Sequence, residues 1–514
     1  MVEDTIMEKR EELMVSPKPS KTHDPIRKIV PFLKPTSTFT NLQKPLFPKH
    51  SCEQKMCSLK VSFNGFRTPQ KGWKDWVDSM HSLHKSTWKK AGIYEAVLNS
   101  CYEIKKDDNL ILGFVQKWCD ETKSFVFSWG EVTVTLEDMM VIGGYSVLGE
   151  SVDSAMKPEN LKTVLSNLNK ARAKLSESTY QKANQCGWMK KFKDSGSKIE
   201  HEAFLALWLT RFVFPSSYST VMKNVFPIAG RLARGIRLAL APAVLASIYR
   251  DLSLLKAKIT VMKNDYCETP VIVWAPFQLV QIWIWERFMK LRPNPGHSLV
   301  PRFARWEQKK LQVEKVGSFV DCAFEDFCWL PYGENSNDNS VFCNVYQETG
   351  KWVVNECLDE DVESWARCFR VSELVGIDGN CIEQYLPHRV AMQFGMNQDV
   401  PGDVARTNET PEIAWRFYSR PVKDVKLYIP SRFSDPYVTA RYLEWRDKSS
   451  GVSSLQSSFD DNETDNFVKI ESLTEDLKDD DEIRILGLKL EARISRLEEV
   501  YGYLKAKKKG DLLV

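Results

Sequence analysis

The sequence lacks the cysteine patterns that build metal sites or redox centres. None of its 12 cysteines forms a C-x-x-C pair, and the closest pairs are Cys52/Cys57 and Cys322/Cys328. Zinc ribbons, zinc knuckles and thioredoxin-type motifs are therefore unsupported. The segment from Met1 to Arg10 is charged and has no apolar signal core, so we expect reduced thiols in a cytosolic or nuclear protein.

Apolar runs that could cross a membrane are also missing. Residues 226–249 are interrupted by three arginines. Residues 271–285 are shorter than the roughly 20 residues that a span needs, and Glu286 and Arg287 follow them directly. Both stretches predict buried helices and no contact with a membrane.

The signature loops of common catalytic folds are absent as well. There is no Walker loop, no G-x-S-x-G and no H-E-x-x-H, and Gly402-Asp403 and Gly379-Asn380 are followed by the wrong residues for a metallophosphatase. A pyridoxal enzyme needs a lysine near a phosphate-binding cup in an alternating strand–helix domain, and that pattern is missing. The sequence therefore predicts no catalytic residue, no cofactor and no metal.

What the chain does contain is material for a large core. Apolar residues make up 43% of its 514 residues, including 16 tryptophans. The 71 basic and 68 acidic residues give a net charge of +3, which neither favours nor excludes a nucleic-acid partner, because such binding depends on local patches.

Composition divides the chain into four segments. Residues 1–62 are rich in proline and lysine and are expected to be a disordered tail. Residues 63–446 form the folded region, and residues 447–480 are a serine-rich, then acidic, linker. Residues 481–508 have heptad spacing and predict a coiled-coil-like helix.

Helical spacing of apolar residues dominates the folded region. Thr135 and Asp138 predict a capping box, and Pro242 predicts a kink or break in a later helix. Residues 271–289 are apolar on every side, which is typical of a helix at the centre of a fold. Helices are expected again near Cys381. The clearest stripe comprises Trp73, Trp76, Val77, Met80, His84 and Trp88.

Two stretches alternate as strands do. Residues 125–135 predict a strand pair that turns at Gly130, and residues 341–354 predict a β-hairpin. The predicted fold class is therefore mainly α: a large single helical domain with a small β-hairpin, a disordered N-terminal tail and a C-terminal amphipathic, coiled-coil helix.

Four stretches occur in an order that resembles a known family. One of them reads Tyr385-Leu-Pro-His-Arg-Val-Ala-Met-Gln-Phe-Gly395, followed by Gln398 and Pro401. Together the stretches resemble the plant mobile domain family, often labelled aminotransferase-like, over roughly residues 65–445. The other three are residues 88–97 with 110–119, residues 130–138 with Gly143-Gly-Tyr, and residues 226–252.

This resemblance implies a domain found in both plant genes and transposable elements. Studied members look like nuclear factors for meristem maintenance, genome integrity and transposon silencing, and some are fused to, or work with, a protein phosphatase 7-like protein. No established catalytic residues come with the family. The expected function is that of a non-enzymatic nuclear interaction protein, and the alternative is a nucleic-acid-binding domain derived from a transposable element.

Two basic clusters are candidate sites. Arg231, Arg234 and Arg237 recur every three residues, so they are expected along one side of a helix. There they either contact nucleic-acid phosphates, form a solvent-exposed stripe or pair internally with acids such as Asp251. The second cluster is either a nuclear localisation signal or a solvated helix end. It consists of Lys505, Lys507, Lys508 and Lys509.

Three histidines deserve separate interpretation. His81 and His84 form an H-x-x-H pair that could share a metal, but no third ligand lies nearby in the sequence, so packing is the favoured interpretation. His388 is expected to hydrogen-bond a neighbouring loop rather than to transfer protons.

The C-terminal helix is predicted to bind a partner. Its apolar seam is interrupted by Arg493 and favours self-association or capture of another helix, whereas folding back onto the main body is the alternative. The seam comprises Ile483, Leu486, Leu490, Leu497, Val500 and Leu504.

Overall fold

The computed structural model of the protein describes most of the chain up to Ser450. These residues belong to one compact unit, Met1–Ser453. Most of the linker 447–480, the helix 481–508 and the lysine cluster that includes Lys505 lie outside the described residues. The described ranges are 6–18, 25–37, 59–152, 161–177, 183–216, 219–261, 270–297, 301–311, 322–332, 346–354, 360–377, 379, 381–405, 408–421 and 426–450.

Helices make up most of the regular structure, so the mainly α prediction is confirmed. Short 3₁₀ or π segments occur between some of them, and the longest in the described ranges is Pro387–Phe394. The helices are α1 (Trp73–Ala91), α2 (Tyr94–Asn99), α3 (Asp108–Lys117), α4 (Leu136–Val141), α5 (Lys162–Glu177), α6 (Gln185–Phe192), α7 (Glu200–Trp208), α8 (Phe226–Leu232), α9 (Leu240–Val261), α10 (Gln278–Arg287), α11 (Arg302–Trp306), α12 (Glu360–Phe369), α13 (Pro411–Tyr418) and α14 (Ala440–Ser450).

The strands are short and form five separate small sheets in the described part of the chain. Their orders are β12-β1-β2, β4-β5-β6, β3-β7, β9-β10 and β8-β11, and β3-β7 is the parallel pair. The strands are β1 (Met7–Val15), β2 (Ile26–Leu33), β3 (Val61–Phe63), β4 (Trp118–Cys119), β5 (Ser124–Phe127), β6 (Gly130–Val132), β7 (Val271–Val273), β8 (Lys351–Val354), β9 (Ser372–Val375), β10 (Ile382–Tyr385), β11 (Lys426–Ile429) and β12 (Val438–Thr439).

The N-terminal segment corrects one prediction. β1 and β2 form an antiparallel hairpin inside residues 1–62, which were expected to be disordered, and β1 also pairs with β12. Met14 and Phe32 are fully buried there. Composition alone missed this because the partner strand β12 lies at the far end of the folded chain. Burial against that distant partner offsets the entropy of ordering the segment.

The centre of the molecule is built from α9 and α10. All residues of α10 are buried, as the apolar residues on every side of this helix predict. The predicted helix begins too early, however, because Val271–Val273 is a strand that pairs with β3. Pro242 lies in the first turn of α9 and therefore starts this helix instead of kinking it.

Two further predictions are wrong in detail. The strand Lys351–Val354 pairs with Lys426–Ile429, so it does not form the hairpin predicted within residues 341–354, of which 341–345 lie outside the described residues. Residues after Cys381 form a strand, where a helix was expected. Short β-segments paired with distant segments carry little local signal, since their stability comes from their partners.

The strand pair predicted in residues 125–135 is confirmed as β5 and β6. The Gly143-Gly144 turn that follows α4 packs directly against α2. Gly144 has a φ of +72°, and a Cβ atom added there would lie 2.5 Å from the backbone nitrogen of Ala96. Only glycine satisfies both the backbone angle and this close approach.

Candidate functional site

A buried network of charged side chains lies where α4, α10 and α11 meet. Its members are Glu137, Asp138, Glu286, Arg287, Arg302, Arg305, Tyr332 and Tyr346, which we name the central charged cluster. At its centre Asp138 and Arg287 form an ion pair 2.9 Å long, and both side chains have no solvent exposure.

The capping box at the start of α4 orients Asp138, as the sequence predicts. The Asp138 backbone N–H donates to Thr135 Oγ1, and Asp138 Oδ2 accepts from the Thr135 backbone N–H at 2.7 Å. The other oxygen, Oδ1, accepts from Arg287 Nη2 and from the Tyr332 hydroxyl at 2.6 Å. One carboxylate therefore both starts a helix and neutralises the last residue of another.

Arg287 is held by its charge partner and by main-chain carbonyls. Burial on its own would lower the pKa of the guanidinium, but the neighbouring charge of Asp138 raises that pKa above its usual value. Arg287 Nη1 also donates to the Trp329 carbonyl at 2.8 Å. A buried charge persists only when it is paired and hydrogen-bonded in this way.

Glu137 lies beside this pair without an arginine of its own. Burial raises the pKa of the Glu137 carboxyl to about 8, the charge of Arg287 opposes the shift, and the charge of Asp138 adds to it. Its Oε1 lies 3.3 Å from the Tyr346 hydroxyl, and its Oε2 has no hydrogen-bond partner among the described residues. Glu137 is therefore protonated near neutral pH.

The opposite end of the cluster links α10 to α11. Glu286 accepts from Trp306 Nε1 at 2.8 Å and from Arg305 at 3.4 Å, and Arg302 lies 3.9 Å away. The Tyr332 ring faces the guanidinium of Arg302 at 5.5 Å. These contacts join helices and leave no exposed acid–base pair, so the cluster is suited to holding the fold together.

Two of the family-like stretches contact each other directly. Arg389 makes a bidentate ion pair with Glu131, with bonds of 2.8 and 2.6 Å. The Gln393 side chain hydrogen-bonds both the backbone N–H and the carbonyl of Thr133. Residues 130–138 and 385–395 are thus two halves of one packed unit, a relationship that neither stretch indicates alone.

The hydrogen bond predicted for His388 is confirmed. Its Nε2 lies 3.1 Å from the Gly402 carbonyl in a neighbouring loop. Burial, and secondly the charge of Arg389, lower the pKa of His388 to about 3. The imidazole is therefore neutral and structural at physiological pH.

His81 and His84 have different partners in the structure, and one of these partners was missed by sequence reasoning. The His84 ring stacks on His201 of α7 with centroids 3.7 Å apart, and His201 accepts from Trp88 Nε1. Instead of joining His84, His81 lies 3.1 Å from the Tyr94 hydroxyl. Within the described ranges no group of three or more His, Cys, Asp or Glu side chains is placed to hold a metal ion.

The predicted arginine stripe does not form. α8 ends at Leu232, so the three arginines do not share one helix. Arg231 is 1% exposed and donates to Glu150 at 2.5 Å, while Arg237 donates to Glu360 at 2.6 Å. Arg234 alone of the three is exposed. Arg231 and Arg237 therefore pair with acids inside the protein, as the alternative interpretation predicted. Their partners are Glu150 and Glu360 and not Asp251.

The described helices include none that is both long and apolar enough to cross a membrane.

The fold and the central charged cluster define a mainly helical, tryptophan-rich domain whose strongest electrostatic interactions are internal. The profile of the family described as plant mobile domain matches residues 92–447, so the chain belongs to that family.

Three relatives from Arabidopsis thaliana are similar to this chain. "Protein MAIN-LIKE 2" is 26% identical over 59% of this chain and 44% of its own length. "Serine/threonine-protein phosphatase 7 long form homolog" is 22% identical over 64% of this chain and 24% of its own length. "Protein MAINTENANCE OF MERISTEMS" is 23% identical over 60% of this chain and 61% of its own length. The similarity thus spans less than two thirds of each relative, and no solved structure matches the chain.

Proposed function

We propose that this protein acts in the nucleus as a non-enzymatic interaction factor that serves meristem maintenance, genome integrity and transposon silencing. The observation that carries the proposal is the plant mobile domain at residues 92–447, shared with relatives named for meristem maintenance. The burial of the central charged cluster supports the non-enzymatic part, because its polar groups are used to join helices.

Localisation is the first test. A fluorescent fusion of the full chain expressed in plant cells should accumulate in the nucleus. Replacing Lys505, Lys507, Lys508 and Lys509 together by glutamine should shift the signal towards the cytoplasm, whereas the single exposed change Arg27→Gln should not. A wild-type fusion that stays outside the nucleus would contradict the proposal.

Partner identity is the second test. The relative named as a phosphatase 7 long form homolog contains a stretch similar to this chain, which supports a phosphatase of that type as partner. Affinity purification of the tagged chain from plant nuclei, followed by mass spectrometry, should recover that phosphatase together with silencing factors. Recovery of neither class of protein would remove this part of the proposal.

The alternative function, nucleic-acid binding, depends on exposed basic residues. Of the three arginines first considered, Arg231 is buried and Arg237 is paired with Glu360, so we favour the interaction factor. Filter binding to duplex DNA across a salt series decides between them. Affinity for DNA that falls steeply with salt, and that Arg234→Gln lowers further, would favour the alternative.

The non-enzymatic assignment can be tested against the aminotransferase-like label. Pyridoxal phosphate added to the purified chain should give neither the absorbance of a lysine Schiff base nor turnover of amino acids. A stoichiometric Schiff base would overturn the assignment.

A further inference from the structure

The N-terminal hairpin carries a strand with one unpaired side. β2 comes last in the sheet order β12-β1-β2, so only one of its two sides faces β1. The other side can accept a further strand wherever its backbone groups point outwards and no other segment covers them. The hydrogen bonds of the hairpin decide which residues of β2 meet both conditions.

The backbone groups of Ile29 point away from β1. In an antiparallel pair, alternate residues direct both their N–H and their carbonyl towards the partner strand, and the residues between them direct both away. Lys34, which continues the register of β2, donates its backbone N–H to the Ile6 carbonyl at 2.9 Å. The even-numbered residues of β2 therefore bond β1, and Arg27, Ile29 and Pro31 face outwards.

Pro31 and Asn397 close one end of this side of β2. Pro31 has no N–H, and its carbonyl accepts from Asn397 Nδ2 at 3.5 Å. In the described ranges, by contrast, the outward N–H and carbonyl groups of Arg27 and Ile29 have no hydrogen-bond partner. Residues 26–30 are thus available for pairing, and we name them the open edge.

The side chains beside the open edge are apolar at one end and basic at the other. Ile29 is 64% exposed and Leu13 is 40% exposed, and the register makes them diagonal neighbours on the outer face of the hairpin. Arg27 and Lys28 are the charged residues of the edge. Arg27 lies 3.9 Å from Glu11 with both side chains more than half exposed, so this ion pair is weak and leaves the edge positively charged.

These features exclude a second copy of the same edge as the partner. Antiparallel pairing of two β2 strands centred on Lys28 would place the two Lys28 side chains directly opposite each other, and like charges at such positions are destabilising. Centring the pair on Ile29 would place Pro31 opposite Arg27. Pro31 has no N–H to donate there, and Asn397 already bonds its carbonyl. A strand with acidic side chains meets neither obstacle.

We propose that the open edge binds an extended acidic segment of a partner protein by strand addition. The added strand runs antiparallel to β2 and exchanges main-chain hydrogen bonds with Ile29 and Arg27. Its apolar side chains lie beside Ile29 and Val30, and its acidic side chains lie beside Lys28 and Arg27. The main-chain bonds supply affinity and the charges supply specificity. This inference rests on the interaction role proposed above and names the chemistry of one partner.

A synthetic peptide and the purified full chain test this proposal. The peptide Thr-Val-Ile-Glu-Glu-Val-Thr, blocked at both ends and labelled with a fluorophore, has the expected order of side chains, and a control peptide carries lysine in place of both glutamates. Fluorescence anisotropy should show saturable binding of the acidic peptide, at least tenfold tighter than that of the control. Equal binding of the two peptides, or no binding of the acidic one, would overturn strand addition here but would leave nuclear localisation and partner recovery unaffected.

Methylated peptides test the direction of the main-chain bonds without any change to the protein. In the expected register the peptide isoleucine faces Ile29, so its N–H bonds the Ile29 carbonyl, whereas the N–H of the first glutamate points away from β2. N-methylation of the isoleucine should weaken binding at least tenfold, and N-methylation of that glutamate should change it little. Equal effects of the two methyl groups would contradict the proposed pairing.

Protein variants assign the binding to the open edge. Ile29→Pro removes an outward N–H without removing a bond to β1, so it should weaken binding of the acidic peptide at least tenfold. The matched control Ile29→Ala keeps the N–H and should weaken binding less. Lys28→Glu should abolish the preference for the acidic peptide over the lysine peptide, and thermal unfolding confirms that each variant is folded. Unchanged binding in a folded Ile29→Pro variant would show attraction by charge alone and would contradict strand addition.

Discussion

Asp138 and Arg287 form an ion pair between the first turn of α4 and the last residue of α10, and neither side chain has any contact with solvent. Asp138→Asn keeps the shape but leaves the guanidinium charge without its partner. We expect this change to lower the free energy of unfolding by roughly 3–5 kcal/mol. Denaturant unfolding of the purified variant measures the loss.

The control for this prediction is the exposed pair Glu103–Lys105, whose side chains are about 40% exposed. Glu103→Gln should change stability by roughly 1 kcal/mol or less. The double variant Asp138→Asn/Arg287→Met should lose less than the sum of its single variants, because it leaves neither Asp138 nor Arg287 as a buried ion without its partner. Strict additivity would show that the pair is not coupled.

Glu137 gives the protein a pH-dependent stability with a definite sign. Its pKa is raised by burial from 4.5 to about 8, so the folded protein holds the proton more tightly than the unfolded chain. This contribution to stability is complete below pH 4.5 and is lost as the pH rises to about 8. Glu137→Gln should flatten the stability–pH curve in that window and increase stability at pH 8, whereas the exposed change Glu348→Gln should do neither.

Gly144 should tolerate no side chain. Gly144→Ala combines an unfavourable positive φ with a contact of 2.5 Å to the Ala96 backbone. Gly196 also has a positive φ, of 64°, but has open space around it, so Gly196→Ala should cost only about 1–2 kcal/mol. Gly144→Ala should cost roughly 1–3 kcal/mol more, and calorimetry that finds equal losses would exclude the predicted clash.

The N-terminal hairpin should contribute to stability although it lies in a proline-rich segment. Met14 is fully buried between β2 and β12, whereas its neighbour Leu13 is 40% exposed. Met14→Ala should lower the free energy of unfolding by roughly 2–5 kcal/mol, as for other core methionines. Leu13→Ala should change it much less. If both variants unfold like the wild type, the hairpin does not belong to the folded unit.

The C-terminal seam, which includes Leu490 and Leu497, remains a prediction about partners. Deleting residues 481–514 should leave the melting temperature of the main body almost unchanged and should weaken self-association or partner capture. Sedimentation and calorimetry on the same truncated protein measure both quantities. A melting temperature lowered by many degrees would instead assign the seam to the main body.

Local patterns in the sequence were sufficient for the elements whose stability is local. The stripe from Trp73 to Trp88 gave a correct helix, and Thr135 with Asp138 gave a correct capping box. The stretch with apolar residues on every side gave the central helix α10, although the predicted helix began too early. In each case the signal lies within a few residues, because helical periodicity and capping involve near neighbours.

The candidate sites were less accessible to such reasoning. The sequence singled out His84 and His388 but not their partners His201 and Gly402. It also left open whether Arg231 is exposed or paired internally, whereas the structure buries it against Glu150. Partner choice depends on which distant segments meet, and that information is not present in local spacing.

The sequence by itself therefore determined the family, the mainly helical class, the helix that begins at Trp73 and the capped start of α4. Only the tertiary structure decided that Asp138 neutralises Arg287, that Arg389 binds Glu131, and that the N-terminal strand β1 pairs with β12. Buried charges and short strands are stable only with a specific distant partner, since an unpaired buried charge or strand edge is unfavourable. The fold supplies those partners, and segments without a local signal become ordered only when they contact them.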